Sequence, residues 1–500
     1  MNNKTLKWNF IFQYGYVITN IINAVITFPL YIHKIDAATL GLWWATGGIL
    51  AWMTLADPGV GDVLQQKIAQ LRGQNNGPEI GLTIGSGLIM SMFILIISVL
   101  AGVIFYFLVG TIVNKDVSQY QGLQSALLIT VIATGMQLVS FSLSGINQGL
   151  QNSAPVAVSA VGGNLMFLFT VVVLLYMNFG VMAIAFSNLA RALFINLYNY
   201  VALQNMLTKE SLEIRFSKSH LKGFVKIFSF TSVSRIIGGF SASMDMIFLA
   251  RFVHPSLITI FEVNKRPIAM AKDLIGRHSV ALMPLISHEN GKEDKTEIKN
   301  IINTQFKYYY YMAIFVSLGF LFNFHNLIAA WTGADKFAGN QIMYLLLGNF
   351  FFGLIGYFMA NMGYALGDIK MNSFINIFKG IIAGVLYYFA SKSYGVVGVL
   401  VVMLAASLCI DFVFFGYRLY QLGYMNQTFI NAVLKKWVAI IPLAVAGGWL
   451  LSHLFAMVLP SRMPIISIGL NGLSFTILFL TLVYLLDQEI RNQIKSLVKF

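Results

Sequence analysis

The sequence predicts an all-α polytopic membrane protein of about fourteen transmembrane helices, arranged as two six-helix lobes around a central cavity plus two C-terminal helices. Three observations lead there. Of 500 residues, 57% are hydrophobic and 10% charged, with a mean hydropathy of +0.74, which is too apolar for a set of soluble domains. Apolar runs of about 20 residues, enough to cross a hydrocarbon core of about 30 Å, follow one another along the whole chain. The first six runs recur as the next six at an offset of about 218 residues; because six is even, both copies enter the membrane in the same direction, as in a parallel repeat.

The spans fall near 8–33, 39–62, 81–112, 122–147, 155–177 and 180–203, then 227–253, 257–285, 308–331, 341–366, 371–391, 396–420, 436–458 and 463–486. This divides the chain into an N-terminal lobe (1–206), a cytoplasmic linker (207–226), a C-terminal lobe (227–422) and a pair of helices with a tail (423–500). The first run is too long for a signal-peptide core and lacks a small-residue cleavage site, so it stays as a span. Most Lys and Arg outside the spans fall in connections on one side, including Lys209, Arg215, Lys218 and Lys222, which predicts both termini in the cytoplasm. Trp8, Trp437 and the run Tyr308 to Tyr311 are expected at the cytoplasmic interface, with Trp43, Trp44 and Trp331 at the external one.

Composition also excludes chemistry. Cys409 is the single cysteine, so disulfides and Cys-rich metal centres drop out, and no Walker-type or other cofactor motif occurs. No cofactor is expected. The formal charge of +14 is scattered over short loops rather than gathered on a soluble face with interleaved aromatics, which points to anionic lipids and an anionic substrate, not nucleic acid.

The informative signal is charge inside the spans, because an ionisable group at the bilayer centre costs at least about 2.5 to 3.5 kcal/mol and marks a pathway. Read as a helix at about 100° per residue, the eighth span places Glu262, Lys265, Arg266, Lys272, Asp273 and Arg277 within an arc of about 140°. Such a stripe either lines a wet cavity or forms an internal ladder in which Glu262 pairs with Arg266 and Asp273 with Arg277. Arg235 and Asp245 in the seventh span, Arg191 in the sixth and Lys379 in the eleventh add charge, and Asp411 in the twelfth is a candidate counter-ion. An excess of cations suits a pyrophosphate or acidic sugar and repels a cationic drug. Asp57, Asp245 and Asp273 are also candidates for coupling transport to H⁺ or Na⁺. In Leu55 to Gln70, LADPGVGDVLQQKIAQ, Pro58 and Gly59 predict a break or kink after the second span.

These features resemble the polysaccharide transporters of the multidrug/oligosaccharidyl-lipid/polysaccharide (MOP) superfamily, in particular the O-antigen flippases, over nearly the whole chain. The resemblance rests on the two six-helix lobes, the LADPGVGDVLQQKIAQ ending, and the order Asp245, then Phe261-Glu-Val-Asn-Lys-Arg266, then Ala281-Leu-Met-Pro-Leu-Ile-Ser287. It implies a MATE-like fold and no enzymatic activity. It further implies alternating access in a bacterial inner membrane, with cytoplasmic loading and outer-face release of an undecaprenyl-pyrophosphate-linked oligosaccharide, alongside membrane lipids and the polysaccharide polymerase machinery. Lipid II flippases, the alternative within this group, typically carry arginines in the first helix, whereas Trp8 to His33 is uncharged here. A cation antiporter would want acids without so many compensating cations. A membrane polymerase or ligase would want a large external loop or a His/Asp constellation, and neither is evident in the sequence.

Overall fold

The computed structural model describes residues 3–55, 59–225, 244–291, 295–458 and 464–492. Among them regular structure is entirely helical, and the helices overlap the expected apolar runs; most of the expected span 227–253 lies outside the described residues. Helices α1 (Asn3–Lys34), α2 (Ala37–Leu55), α3 (Val60–Gly73), α4 (Gly77–Val113), α5 (Leu123–Gly149), α6 (Ser153–Tyr176) and α7 (Met182–Lys209) precede α8 (244–252). They are followed by α9 (Pro255–Gly291), α10 (Lys295–Trp331), α11 (Asn340–Ala365), α12 (Ile369–Ala406), a π-helical segment (Ser407–Phe414), α13 (Phe415–Gln421), α14 (Gln427–Val458) and α15 (Pro464–Leu486). Among the described residues eight helices are long and apolar enough to cross a membrane. Large apolar side chains point outwards, such as Phe107 at 76% and Phe169 at 69% exposure, as a lipid solvent allows and water does not. This is a multi-pass membrane protein.

The chain breaks at two glycines, the first anticipated from the sequence and the second lying in the gap between two expected spans. Gly59, at φ 81°, separates α2 from α3, a left-handed conformation that glycine adopts without a Cβ penalty; Asp57 and Pro58 lie outside the described residues. Gly395, at φ 56° and ψ −134°, divides α12 between the expected spans 371–391 and 396–420.

The chain packs as two compact units, Met1–Thr259 and Ile260–Phe500. In the first, α5 is the central helix, packed on α3, α4 and α7, while α6 packs on α1 and α7. Apart from Asp245, its buried polar groups are neutral amides and hydroxyls. The Asn147 amide donates to the Asn199 carbonyl at 3.0 Å, and the Asn199 amide donates to Ser159 Oγ at 2.8 Å, tying α5 to α7 and α7 to α6. On the other side the Asn164 amide donates to Thr19 Oγ1 at 2.6 Å and Asn23 donates to the Asn164 carbonyl at 2.9 Å, which joins α1 to α6. Such amides hold helices together where apolar burial supplies no drive, since lipid tails are as apolar as leucine.

The stretch expected as a linker is an integral strap of this unit. Phe224, 1% exposed, belongs to the core of Leu64, Ile68, Ile80 and Ile84, with Leu212 and Leu221 against it. The Arg215 N–H donates to the Gly81 carbonyl at 3.2 Å. A Cβ on Gly81 would stand 2.0 Å from the Glu213 carbonyl oxygen and one on Gly85 2.1 Å from that of Arg215, so the strap lies where only glycine leaves room on α4. His220 Nε2 meets Glu79 at 2.8 Å, and Arg72 donates to Glu210 at 2.6 Å.

In the second unit α10 packs on α11, α14 and α15, and α11 packs on α12 and the π segment. The tyrosine run, expected at the level of an interface, is mostly turned inwards: Tyr309, Tyr310 and Tyr311 are buried, and only Tyr308 is exposed. Tyr309 packs on Phe358 with centroids 4.9 Å apart, and Tyr310 on Trp437 at 5.9 Å, so large rings fill the space between α10, α11 and α14. Trp43 is likewise buried. At the end of α15, buried Asp487 accepts from Tyr311 Oη and from Lys436 Nζ, each at 2.7 Å, and Lys307 pairs with Glu489.

Candidate functional site

The charged stripe of α9 divides along two edges. At about 100° per residue, Lys265 and Lys272 fall on one edge and Glu262, Arg266, Asp273 and Arg277 on the other. Along the second edge Arg266 Nη1 reaches Glu262 Oε1 at 4.0 Å, one turn away, the first rung of the anticipated ladder. The second rung does not form: Asp273 and Arg277 are both exposed, and no ion pair joins them. On the first edge the Lys265 ammonium sits 5.4 Å from the centroid of the fully buried Phe261 ring, a cation–π contact.

Lys272 instead enters a cavity of about 290 Å³ within the second unit. Its walls come from α9, α11, α12 and the π segment, and two more of the expected charges, Lys379 and Asp411, line it. Lys379 Nζ donates to both Asp411 oxygens, at 2.7 and 2.5 Å. That pair is closed, so Asp411 serves as a counter-charge with its carboxylate occupied. Lys272 closes no ion pair among the described residues, and the cavity therefore carries two ammonium groups against one carboxylate.

The local fold places these groups. Gly356 of α11 lets the π segment approach so closely that a Cβ there would stand 2.4 Å from the Asp411 backbone. A Cβ on Gly353 would stand 3.6 Å from Lys272 Nζ, so the ammonium lies over bare backbone. The wider π turn carries Asp411 across to Lys379, and π-helical turns recur at functional sites; the Ser407 hydroxyl at its start donates to Asn349 Oδ1 at 2.6 Å. Asn361, Asn372 and Asn376 line the cavity beside Tyr357 and Tyr364. The Asn361 amide donates to Ser279 Oγ at 2.8 Å and that of Asn372 to the Ala360 carbonyl at 2.8 Å, which fixes both side chains.

The remaining candidates lie elsewhere. Arg191, on α7 in the first unit, packs its stem beside Gly163, whose Cβ would stand 3.5 Å from Arg191 Cγ. Asp245, on α8 of that unit, is 3% exposed. Arg235 and Asp57 fall outside the described residues. Sequence reasoning missed the amide wall, although Asn372, Asn376 and Lys379 sit at i, i+4 and i+7 on an otherwise apolar helix, the spacing of one face. It also missed Arg418, which grips Asp368 with Nε at 2.6 Å and Nη2 at 3.0 Å next to the cavity-lining Phe415. Among the described residues no group of three His, Cys, Asp or Glu is placed to hold a metal ion.

No protein-family profile matches the chain, and no curated protein does. Solved structures match over most of its length. An inward-facing multidrug-resistance MATE family transporter of the MOP superfamily aligns with a TM-score of 0.66 at 12% identity, covering 81% of this chain and 96% of that one. The lipid II flippase MurJ, in an inward closed conformation, aligns with a TM-score of 0.68 at 13% identity over 96% of this chain and 99% of the other. A mutant of the Vibrio cholerae MATE transporter VcmN gives 0.56 at 11% identity over 85% and 98%. The chain thus has a polytopic helical fold. It is the fold these MATE transporter and MurJ structures have.

Proposed function

We propose that this protein is a flippase that moves an anionic lipid-linked saccharide across a bilayer by alternating access. The observation that carries the reading is the Lys272 cavity, where an unpaired ammonium, an amide wall and two tyrosines line one space. Lys272 would donate to a phosphate or uronate oxygen, a charge-assisted bond stronger than a neutral one. Asn361, Asn372 and Asn376 offer both donors and acceptors to sugar hydroxyls, and Tyr357 and Tyr364 offer faces for sugar rings. Lys265, Arg266 and Arg277 on the same helix would extend the attraction for pyrophosphate, while Glu262 and Asp273 moderate it; Arg191 and Arg235 are proposed as further substrate-attracting groups of the first unit, with Asp245 as their counter-charge.

Within this class the proposed cargo is an undecaprenyl-pyrophosphate-linked oligosaccharide of an O-antigen or related surface polysaccharide, loaded from the cytoplasmic leaflet of a bacterial inner membrane. Lipid II fits the likeness to MurJ equally well and is the second reading. A cation antiporter is disfavoured, because Asp411, the acid in this cavity, is already occupied by Lys379. An H⁺ or Na⁺ gradient would then act through other acids, with Asp245 and Asp273 as the proposed groups.

The test is translocation in proteoliposomes, scored by access of an external glycosidase to a polyprenyl-pyrophosphate oligosaccharide. Lys272→Ala should slow it about 10- to 100-fold, the worth of one charge-assisted hydrogen bond of about 1.5–3 kcal/mol, with normal protein abundance, and Lys272→Arg should retain much of it. No translocation by the wild type, with efflux of a cationic dye from the same vesicles, would overturn the reading in favour of the antiporter.

A further inference from the structure

A second cavity of about 540 Å³ lies in the first unit, along α7 and beside the start of α6. Its middle is apolar: Phe194, Leu197, Tyr198 and Val201 line it. Leu197 is 66% and Val201 49% exposed, so this wall faces the surrounding membrane. The Phe194 and Tyr198 rings stack with centroids 6.0 Å apart and 29° between planes, giving one side a stiff edge.

One end is polar. Asn152, Asn205 and Lys209 gather there, with Lys209 exposed and closing no ion pair among the described residues. The adjacent acid, Glu210, is taken by Arg72 at 2.6 Å, so nothing beside Lys209 neutralises it. From Phe194 to Lys209 the helix rises about 22 Å at about 1.5 Å per residue, which spans half of a hydrocarbon core of about 30 Å plus a headgroup. The groove thus offers an apolar channel one leaflet deep that ends in a cation and two amides.

We propose that this groove binds one anionic phospholipid, its phosphate against Lys209 and the Asn152 and Asn205 amides, and an acyl chain along Leu197 and Val201. An ammonium recognises phosphate as a point charge, and the amides add donors that a zwitterionic headgroup, carrying its own cation, competes for less well.

The experiment is native mass spectrometry of the full chain released from micelles holding equal amounts of phosphatidylglycerol and phosphatidylcholine, with a parallel arm containing polyprenyl phosphate. Retention of phosphatidylglycerol several-fold above phosphatidylcholine is expected. Lys209→Glu should abolish that preference, and Val201→Trp, which fills the groove from its exposed side, should lower all retention. Lys218→Glu, which removes an exposed cation outside the groove, should change neither. Equal retention of the two phospholipids, adducts that persist in both groove variants, or displacement by polyprenyl phosphate would overturn the proposal.

Discussion

The helices around α5 and the helices around the Lys272 cavity both bury amides, but the cavity adds charges. In the first unit Asn147, Asn164 and Asn199 are fully buried and bond to hydroxyls and backbone carbonyls on neighbouring helices. Around the cavity, Lys379 and Asp411 keep side-chain exposures of 29% and 15%, and Lys272 closes no ion pair among the described residues. Neutral amides join helices at low cost in lipid, whereas charges are expensive there and persist where they act on something polar. Amides serve in both places, and the charges are what set the site apart.

Gly356→Val is the sharpest way to break the cavity, because its added carbons would enter the Asp411 backbone at 2.4 Å. We expect loss of monodisperse protein by size-exclusion chromatography, whereas Gly319→Val on α10, where a Cβ would have nothing within 4 Å, should elute normally. Asp411→Asn comes next. Removing one partner of a buried pair costs about 3–5 kcal/mol, and partial exposure lowers that here to about 1–3 kcal/mol. The melting temperature should drop, and adding Lys379→Met should restore most of it; no recovery in the double variant would mean that the pair is not coupled.

A smaller effect belongs to the amide core. Asn199→Leu should cost on the order of 1 kcal/mol, the usual scale for a hydrogen bond between membrane helices, and should leave transport per folded molecule unchanged. A transport defect without a stability change would contradict the division of roles drawn above. The smallest effect is a pH dependence at Asp487. Burial pushes its carboxyl up, but the Lys436 ammonium and the Tyr311 hydroxyl outweigh this and hold it below the ordinary carboxylate range. A depressed folded value means stability present above the unfolded value of about 3.9 and lost as pH falls further. The gap in melting temperature between wild type and Asp487→Asn should therefore be full near neutrality and shrink below about pH 4.

Hydrophobic length placed the spans well because the bilayer sets that length. Gly59 was legible as a break beside Pro58, whereas Gly395 shows only in the structure, in the gap between two expected spans. The cationic stripe of α9 could be read from its period, yet the period could not say that Lys272 turns to α11 while Asp273 and Arg277 stay exposed. One residue of helix separates those fates, and the neighbours decide them. The π turn at Ser407–Phe414 leaves no mark in the sequence, since the room its Asp411 backbone occupies is left by Gly356 on another helix. The strap from Leu212 to Phe224 looked like a charged connection since its anchors, Leu212, Leu221 and Phe224, are widely spaced. Residue type alone placed Tyr309 to Tyr311 at an interface, and packing against Phe358 and Trp437 adds that they belong to the core.

The most direct test of the central claim is equilibrium binding of a polyprenyl-pyrophosphate oligosaccharide to the detergent-purified protein, compared between wild type, Lys272→Ala and Lys272→Arg. We predict about 10- to 100-fold weaker binding for the alanine variant and near-wild-type binding for arginine. Equal affinity for wild type and Lys272→Ala, in protein that melts at the same temperature, would contradict a role for this cavity in holding the anionic cargo.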